Sequence, residues 1–151
     1  MKLITYEQAL HRLAAYCSRG ERCIYDLRQK MIRWEISFEN QNKIINYLQK
    51  EKFLDEKRFC KAYVNDKFKY SRWGAYKIKY ELKKKQIPEE IIKEALQNID
   101  SEENRKQLSQ LLKAKLKTVK GKNEYEIKQK LIRFAAGRGF SLEDIEAAFE
   151  G

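Results

Sequence analysis

The sequence predicts an all-α protein: one three-helix unit written three times in tandem, stacked into an elongated, curved molecule. Two observations carry that expectation. The chain is 36% charged with a single proline and six glycines in 151 residues, which suits helices joined by short turns and suits strands poorly. A helical apolar pair also recurs at a spacing near fifty residues, as Leu27 and Met31, Ile78 and Leu82, Ile127 and Leu131. Apolar residues at i and i+4 mark one face of a helix, and a period of this length marks a repeat architecture. The units are expected at residues 1–54, 55–99 and 100–151.

In the first unit, Thr5 to Gln8 forms a capping box that opens a helix with Ala9, Leu10, Leu13, Ala14 and Cys17 inward. Ser18 to Arg22 is a turn. A second helix from about Cys23 carries Ile24, Leu27, Met31 and Trp34, and ends before Ser37. The third starts there with Ile44, Ile45 and Leu48 inside, and Phe53 and Leu54 fix its exit. The second unit opens on Asp55 and Glu56, acids suited to a helix N-terminus, with Phe59, Cys60, Tyr63 and Val64 inward. Its second helix begins at Gly74. Pro88 suits the first turn of the next helix, followed by Glu89 and Glu90; Ile91, Ile92, Ala95 and Leu96 line its inner face. The third unit starts near Asp100 with a long helix lined by Leu108, Leu111, Leu112 and Leu116. After the turn Lys120 to Asn123 comes a helix with Ile127, Leu131 and Phe134. A longer break, Ala136 to Gly139, precedes a last helix with Ile145, Ala148 and Phe149. The residues four before each apolar pair are Cys23, Gly74 and Asn123; the last two are ordinary N-cap types and Cys23 is the odd one.

The net charge is +11 and it is uneven. Residues 57–85 hold eleven Lys or Arg against two Asp or Glu, and residues 105–133 hold ten against two, each block followed by an acidic stretch. A basic face points to nucleic acid, an acidic protein surface or anionic lipid. Catalysis has little to stand on. His11 is the lone histidine and reads as a surface or capping residue. No phosphate loop, nucleophile elbow or metal-ligand spacing is present, so no catalytic residue, metal or cofactor is expected. Cys17, Cys23 and Cys60 fit reduced thiols of a cytoplasmic protein. Met1 to Ile4 leads into no long apolar run, so no signal peptide and no membrane span is expected.

Superposing the units places Arg28, Lys79 and Lys128 at one position and Arg33, Lys84 and Arg133 at another. The two positions lie on opposite flanks of the core stripe, and both are expected to point outward. Ile32, Lys83 and Ile132 share a third. With Lys67, Lys69, Arg72, Trp73 and Lys77 of the basic block, these make a candidate track for DNA or an acidic partner. Trp73, Tyr70, Tyr76 and Tyr80 interleave with the cations and are candidates to stack on bases, with packing between units as the competing role for Trp73 and Tyr76. Lysine tracks carry no base-specific pattern, so sequence-independent binding is expected.

Three stretches, Phe53 to Phe59, Arg72-Trp73-Gly74 ahead of Ile78 and Leu82, and Ile87-Pro88-Glu89-Glu90-Ile91-Ile92, resemble the RecX family of bacterial recombination regulators. The likeness covers nearly the whole chain and is sharpest in the middle unit. Cys23 departs from the hydroxyl residue the family tends to carry there. The resemblance implies three tandem three-helix repeats. It also implies a non-enzymatic protein, expected as a monomer, that lies in the groove of a RecA filament on single-stranded DNA and blocks or dissolves it. A plain single-stranded nucleic-acid-binding module without a RecA partner is the alternative, and a metal-dependent nuclease is the weakest reading.

Overall fold

A computed structural model describes residues 3–150. Met1, Lys2 and Gly151, with part of the expectation about the start of the chain, lie outside that range. The described residues form nine helices and no strand: α1 (Tyr6–Ser18), α2 (Ile24–Arg33), α3 (Phe38–Lys50), α4 (Glu56–Lys69), α5 (Ala75–Lys84), α6 (Glu89–Leu96), α7 (Ser101–Leu116), α8 (Glu124–Gly137) and α9 (Leu142–Glu150).

Local chemistry sets most boundaries. Thr5 makes the full capping box with Gln8. Ser37, Asp55, Asp100 and Asn123 each accept an N–H from the first turn of the helix they precede. Ser141 does the same for Asp144. Such caps satisfy N–H groups that have no partner inside the helix. Pro88 sits at the cap itself, one position earlier than expected. The second helices end alike. Glu35, Gln86 and Gly139 take positive φ of 58°, 58° and 101°. Around Glu35 and Gly139 the next N–H reaches back to close a Schellman turn, Ile36 to the Met31 carbonyl and Phe140 to that of Ala135. Half of the expected break at Ala136 to Gly139 is helix: α8 runs through Gly137, and only Arg138 and Gly139 form the turn.

Three apolar clusters result. Leu13, Leu27, Met31, Ile44 and Leu48 centre the first; Cys60, Val64, Ile78, Leu82 and Ile92 the second; Leu108, Leu112, Leu131, Ala135 and Ile145 the third. Leu54 is buried as expected but Phe53 stays at the surface, and Leu116 is exposed on the last turn of α7. The accessible surface is 10413 Å². A compact monomer of 18.1 kDa would expose about 8,100 Å². The excess is what three small cores in a row produce.

The trios join through their second helices. At the junction of α5 and α8, Gly74 N–H donates to the Arg138 carbonyl (2.7 Å) and Tyr76 N–H to the Gly139 carbonyl (3.0 Å). Orphan donors of one helix start thus meet acceptors at another helix end, positive dipole end to negative. A Cβ on Gly74 would lie 2.4 Å from the Gly139 oxygen, and one on Gly139 would lie 2.5 Å from Lys77 Cβ. Gly74 is therefore a close-approach glycine and not an ordinary cap, which corrects the sequence reading. The start of α2 meets the second unit through side chains: Lys85 Nζ, just past the end of α5, pairs with Asp26 at 3.0 Å, and Ile24 N–H donates to Glu56 Oε2, on the first residue of α4, at 3.0 Å. Cys23 has no capping role because it is fully buried in the second cluster, where Tyr25 also packs. The second helices accordingly follow one another end to end in the order α8, α5, α2.

Candidate nucleic-acid and protein interface

The twelve predicted residues divide by what their heads touch. Arg33, Lys69, Arg72, Lys83, Lys84, Lys128 and Arg133 are exposed. Arg33, Lys84 and Arg133 hold the same register on α2, α5 and α8. Arg33 and Arg133 form no ion pair among the described residues, and Lys84 sits 3.4 Å from Glu81, with its ammonium also 5.4 Å from the Tyr80 ring. Arg72 lies in the turn before α5 with φ of 57°.

The other flank is engaged with neighbouring helices, and the expectation that both flanks point outward fails at Arg28. Arg28 is half-buried. Its guanidinium donates to Gln41 Oε1 (3.1 Å) and Asn42 Oδ1 (2.8 Å) and lies 5.0 Å from the Phe38 ring, so it pins α2 to α3. Lys79 leans to Glu89 at the start of α6 (3.8 Å), and Lys128 lies 5.2 Å from the Phe149 ring on α9. All three reach their own unit's third helix, because at this angle from the core stripe the long side chain passes alongside the neighbouring helix. Lys83 shares Glu89 with Lys79 at 3.8 Å; such exposed pairs contribute roughly 0–1 kcal/mol and leave the cations available.

The two roles open to Trp73 and Tyr76 are divided between them, packing for Trp73 and exposure for Tyr76. Trp73 is half-buried on the second cluster with the ammoniums of Lys67 and Lys77 at 4.9 and 4.7 Å from its ring. Lys67 and Lys77 are thus held half-buried against an aromatic face. Tyr76 is 64% exposed and Tyr80 63%. These two, four apart on α5, stand on the face opposite Ile78 and Leu82 together with Lys83 and Lys84. Tyr70 is exposed as well.

Sequence reading missed one register. Tyr25, Tyr76 and Tyr125 occupy the same position, two residues after Cys23, Gly74 and Asn123. Tyr25 packs against the second cluster while Tyr76 and Tyr125 are exposed. The repeat spacing alone would have found it.

The cysteines carry no chemistry here. All three are buried free thiols. Burial pushes Cys23 up to about 12 and Cys60 up to about 11, far from the reactive range. Among the described residues no group of three or more His, Cys, Asp or Glu gathers to hold a metal, and no helix is long and apolar enough to cross a membrane.

Comparison with known proteins places this arrangement. Residues 55–96 match the model of the RecX second three-helix domain, and residues 102–149 that of the RecX third three-helix domain. A regulatory protein RecX of Prosthecochloris aestuarii is 30% identical over 95% of this chain and 92% of its own length. The chain belongs to the RecX family. A regulatory protein RecX of Clostridium tetani is 32% identical over 85% of this chain, which spans 58% of that longer relative. A crystal structure of regulatory protein RecX superposes with a TM-score of 0.90 at 21% identity, covering 97% of this chain and 73% of that one, and establishes the fold. RecX proteins are regulators and not enzymes.

Proposed function

We propose that this protein binds a RecA filament assembled on single-stranded DNA and restrains its recombinase and ATPase activity, modulating DNA repair and the SOS response. It acts as a cytoplasmic monomer, with units 1–54, 55–99 and 100–151 as three successive contacts. The observation that carries the reading is the recurrence of an exposed cation at Arg33, Lys84 and Arg133 on helices set end to end. A polyanion with a regular repeat, or a row of acidic protomers, meets such a row of cations without any base-specific contact. Family membership supplies the regulatory role; the charge supplies the target. The reading also needs Arg72, Lys83 and Lys69 at the rim of the same basic block. It gives Arg28 a structural share, because its guanidinium is half-buried and donates to two side-chain amides of α3, and it sets Lys67 and Lys77, half-buried against Trp73, and Lys79 and Lys128, which lean on their third helices, at the margin of the track.

A second reading, sequence-independent single-stranded DNA binding without a RecA partner, is favoured by Tyr76 and Tyr80 standing exposed beside Lys83 and Lys84. Stacking on bases contributes about 1–3 kcal/mol per ring. One experiment separates them. RecA-driven strand exchange and ATP hydrolysis are measured with stoichiometric excess of this protein, wild type or with Arg33→Glu, Lys84→Glu and Arg133→Glu combined. Inhibition by wild type that the triple variant loses supports the filament reading. Unchanged RecA activity with wild type refutes it, and DNA binding that persists in that case leaves the second reading standing.

A further inference from the structure

We propose that the first unit carries a separate phosphate-binding site in the cleft between α1 and α2. The cleft encloses about 300 Å³ and is lined by His11, Arg12, Arg19 and Lys30 around the rings of Tyr16 and Trp34, with no carboxylate in its wall. Two of its cations, Arg12 and Lys30, are mounted on aromatic faces, and Arg22 sits beside the cleft on one of the same rings. Arg12 lies 5.8 Å from the Trp34 ring, and Lys30 lies 4.5 Å from the Tyr16 ring. Arg22 lies 3.7 Å from that same Tyr16 ring and is fixed by an Nε–H bond to the Tyr16 carbonyl at 3.0 Å. A cation seated on a ring is oriented but not neutralised, so its N–H donors stay available.

A second observation is independent of the first. Between Leu10 and Arg33 the chain holds six arginines and lysines and two acids, Glu21 and Asp26. Both acids are drawn away to the second unit, Glu21 to Arg58 at 3.0 Å and Asp26 to Lys85 at 3.0 Å. Docking of the second unit therefore strips this region of its local counter-charge. The near balance of charge over residues 1–56 hides the site in the sequence. The ligand is a phosphate group, either a phosphodiester of a DNA strand or a free polyphosphate. The proposal relies on the reading above only in naming DNA as one source.

Trp34 is its own reporter. In a Trp73→Phe variant, where Trp34 is the sole indole, emission is followed on adding inorganic tripolyphosphate or single-stranded oligothymidylate. Strand binding is followed separately by anisotropy of a labelled oligonucleotide. The expected result is a saturable change in Trp34 emission, weakened at least about fivefold by Lys30→Ala or by Arg19→Glu. Arg19 is exposed at the end of α1, so its reversal leaves the fold intact if Lys30→Ala does not. If the phosphate belongs to a strand, either change also lowers the log–log salt slope of strand binding by about 0.7. A response to tripolyphosphate alone assigns the site to free polyphosphate and holds even if strand binding fails. Oligonucleotide that binds by anisotropy while Trp34 answers neither ligand overturns the site and spares the function proposed above. A response that survives both substitutions overturns it too.

Discussion

Gly74→Ala tests the joint between the second and third units. The added methyl would fall 2.4 Å from the Gly139 oxygen, 2.5 Å from its carbonyl carbon and 2.6 Å from the Phe140 nitrogen. All three are backbone atoms, so no side chain swings aside and the start of α5 must part from the end of α8. The hydrogen bonds of Gly74 to Arg138 and of Tyr76 to Gly139 go with it. Two bonds at about 1 kcal/mol each and an overpacking cost of about 1–3 kcal/mol give a loss of about 3–5 kcal/mol. For a chain of this size that is a fall in Tm of about 10 °C. Calorimetry is the assay. It should also show the third unit melting apart from the rest, since repeat proteins draw their cooperativity from the joints. Gly20→Ala is the control: the nearest atom to its Cβ is 3.7 Å away, in the flexible Arg22 head, so its effect should stay within about 0.5 kcal/mol. Gly74→Ala melting in a single transition, no lower than the control, would refute the account of the joint.

Three further outcomes follow from the same geometry. Glu35 holds φ of 58°, which costs an L residue roughly 1–2 kcal/mol; Glu35→Gly recovers this less the roughly 0.4–1 kcal/mol lost to unfolded-chain entropy, a net gain of about 0.5–1 kcal/mol in urea unfolding. Arg28→Ala leaves the buried Gln41 oxygen without its donor and should cost about 1–3 kcal/mol while shifting DNA affinity little; a large affinity loss at unchanged stability would return Arg28 to the track. Burial raises the Glu56 carboxyl above its ordinary 4.5, against the lowering effect of the Ile24 N–H bond. Because the folded state then holds the proton more tightly than the unfolded chain, this group's contribution to stability declines as pH rises from 4.5 to the folded pKa and is flat beyond it. Glu56→Gln keeps an acceptor for Ile24 and should abolish that decline, measured as chemical denaturation at a series of pH values.

The helices, their caps and the threefold register were legible in one sequence, because a capping hydroxyl or carboxylate and an i, i+4 apolar pair act within a few residues of themselves. Thr5, Ser37, Asp55, Asp100 and Asn123 each announce a helix start for that reason. Legible too was the excess of cations in two blocks, since net charge is a sum and needs no coordinates. What lay beyond reach was the fate of each charged head. Arg28 and Arg33 are five residues apart on one helix, yet the first is bound by α3 and the second forms no ion pair among the described residues, a difference made by a neighbour thirteen residues on from Arg28. Gly74 and Cys23 look like two ways to begin a helix; only the approach of Gly139 to one and the core of the second unit to the other reveals them as joints. Local bonding decided the elements of this protein, and packing between units decided which cations remain for a partner. Long side chains choose among acids, rings and carbonyls by distance in space, and that distance exists only after the units have stacked.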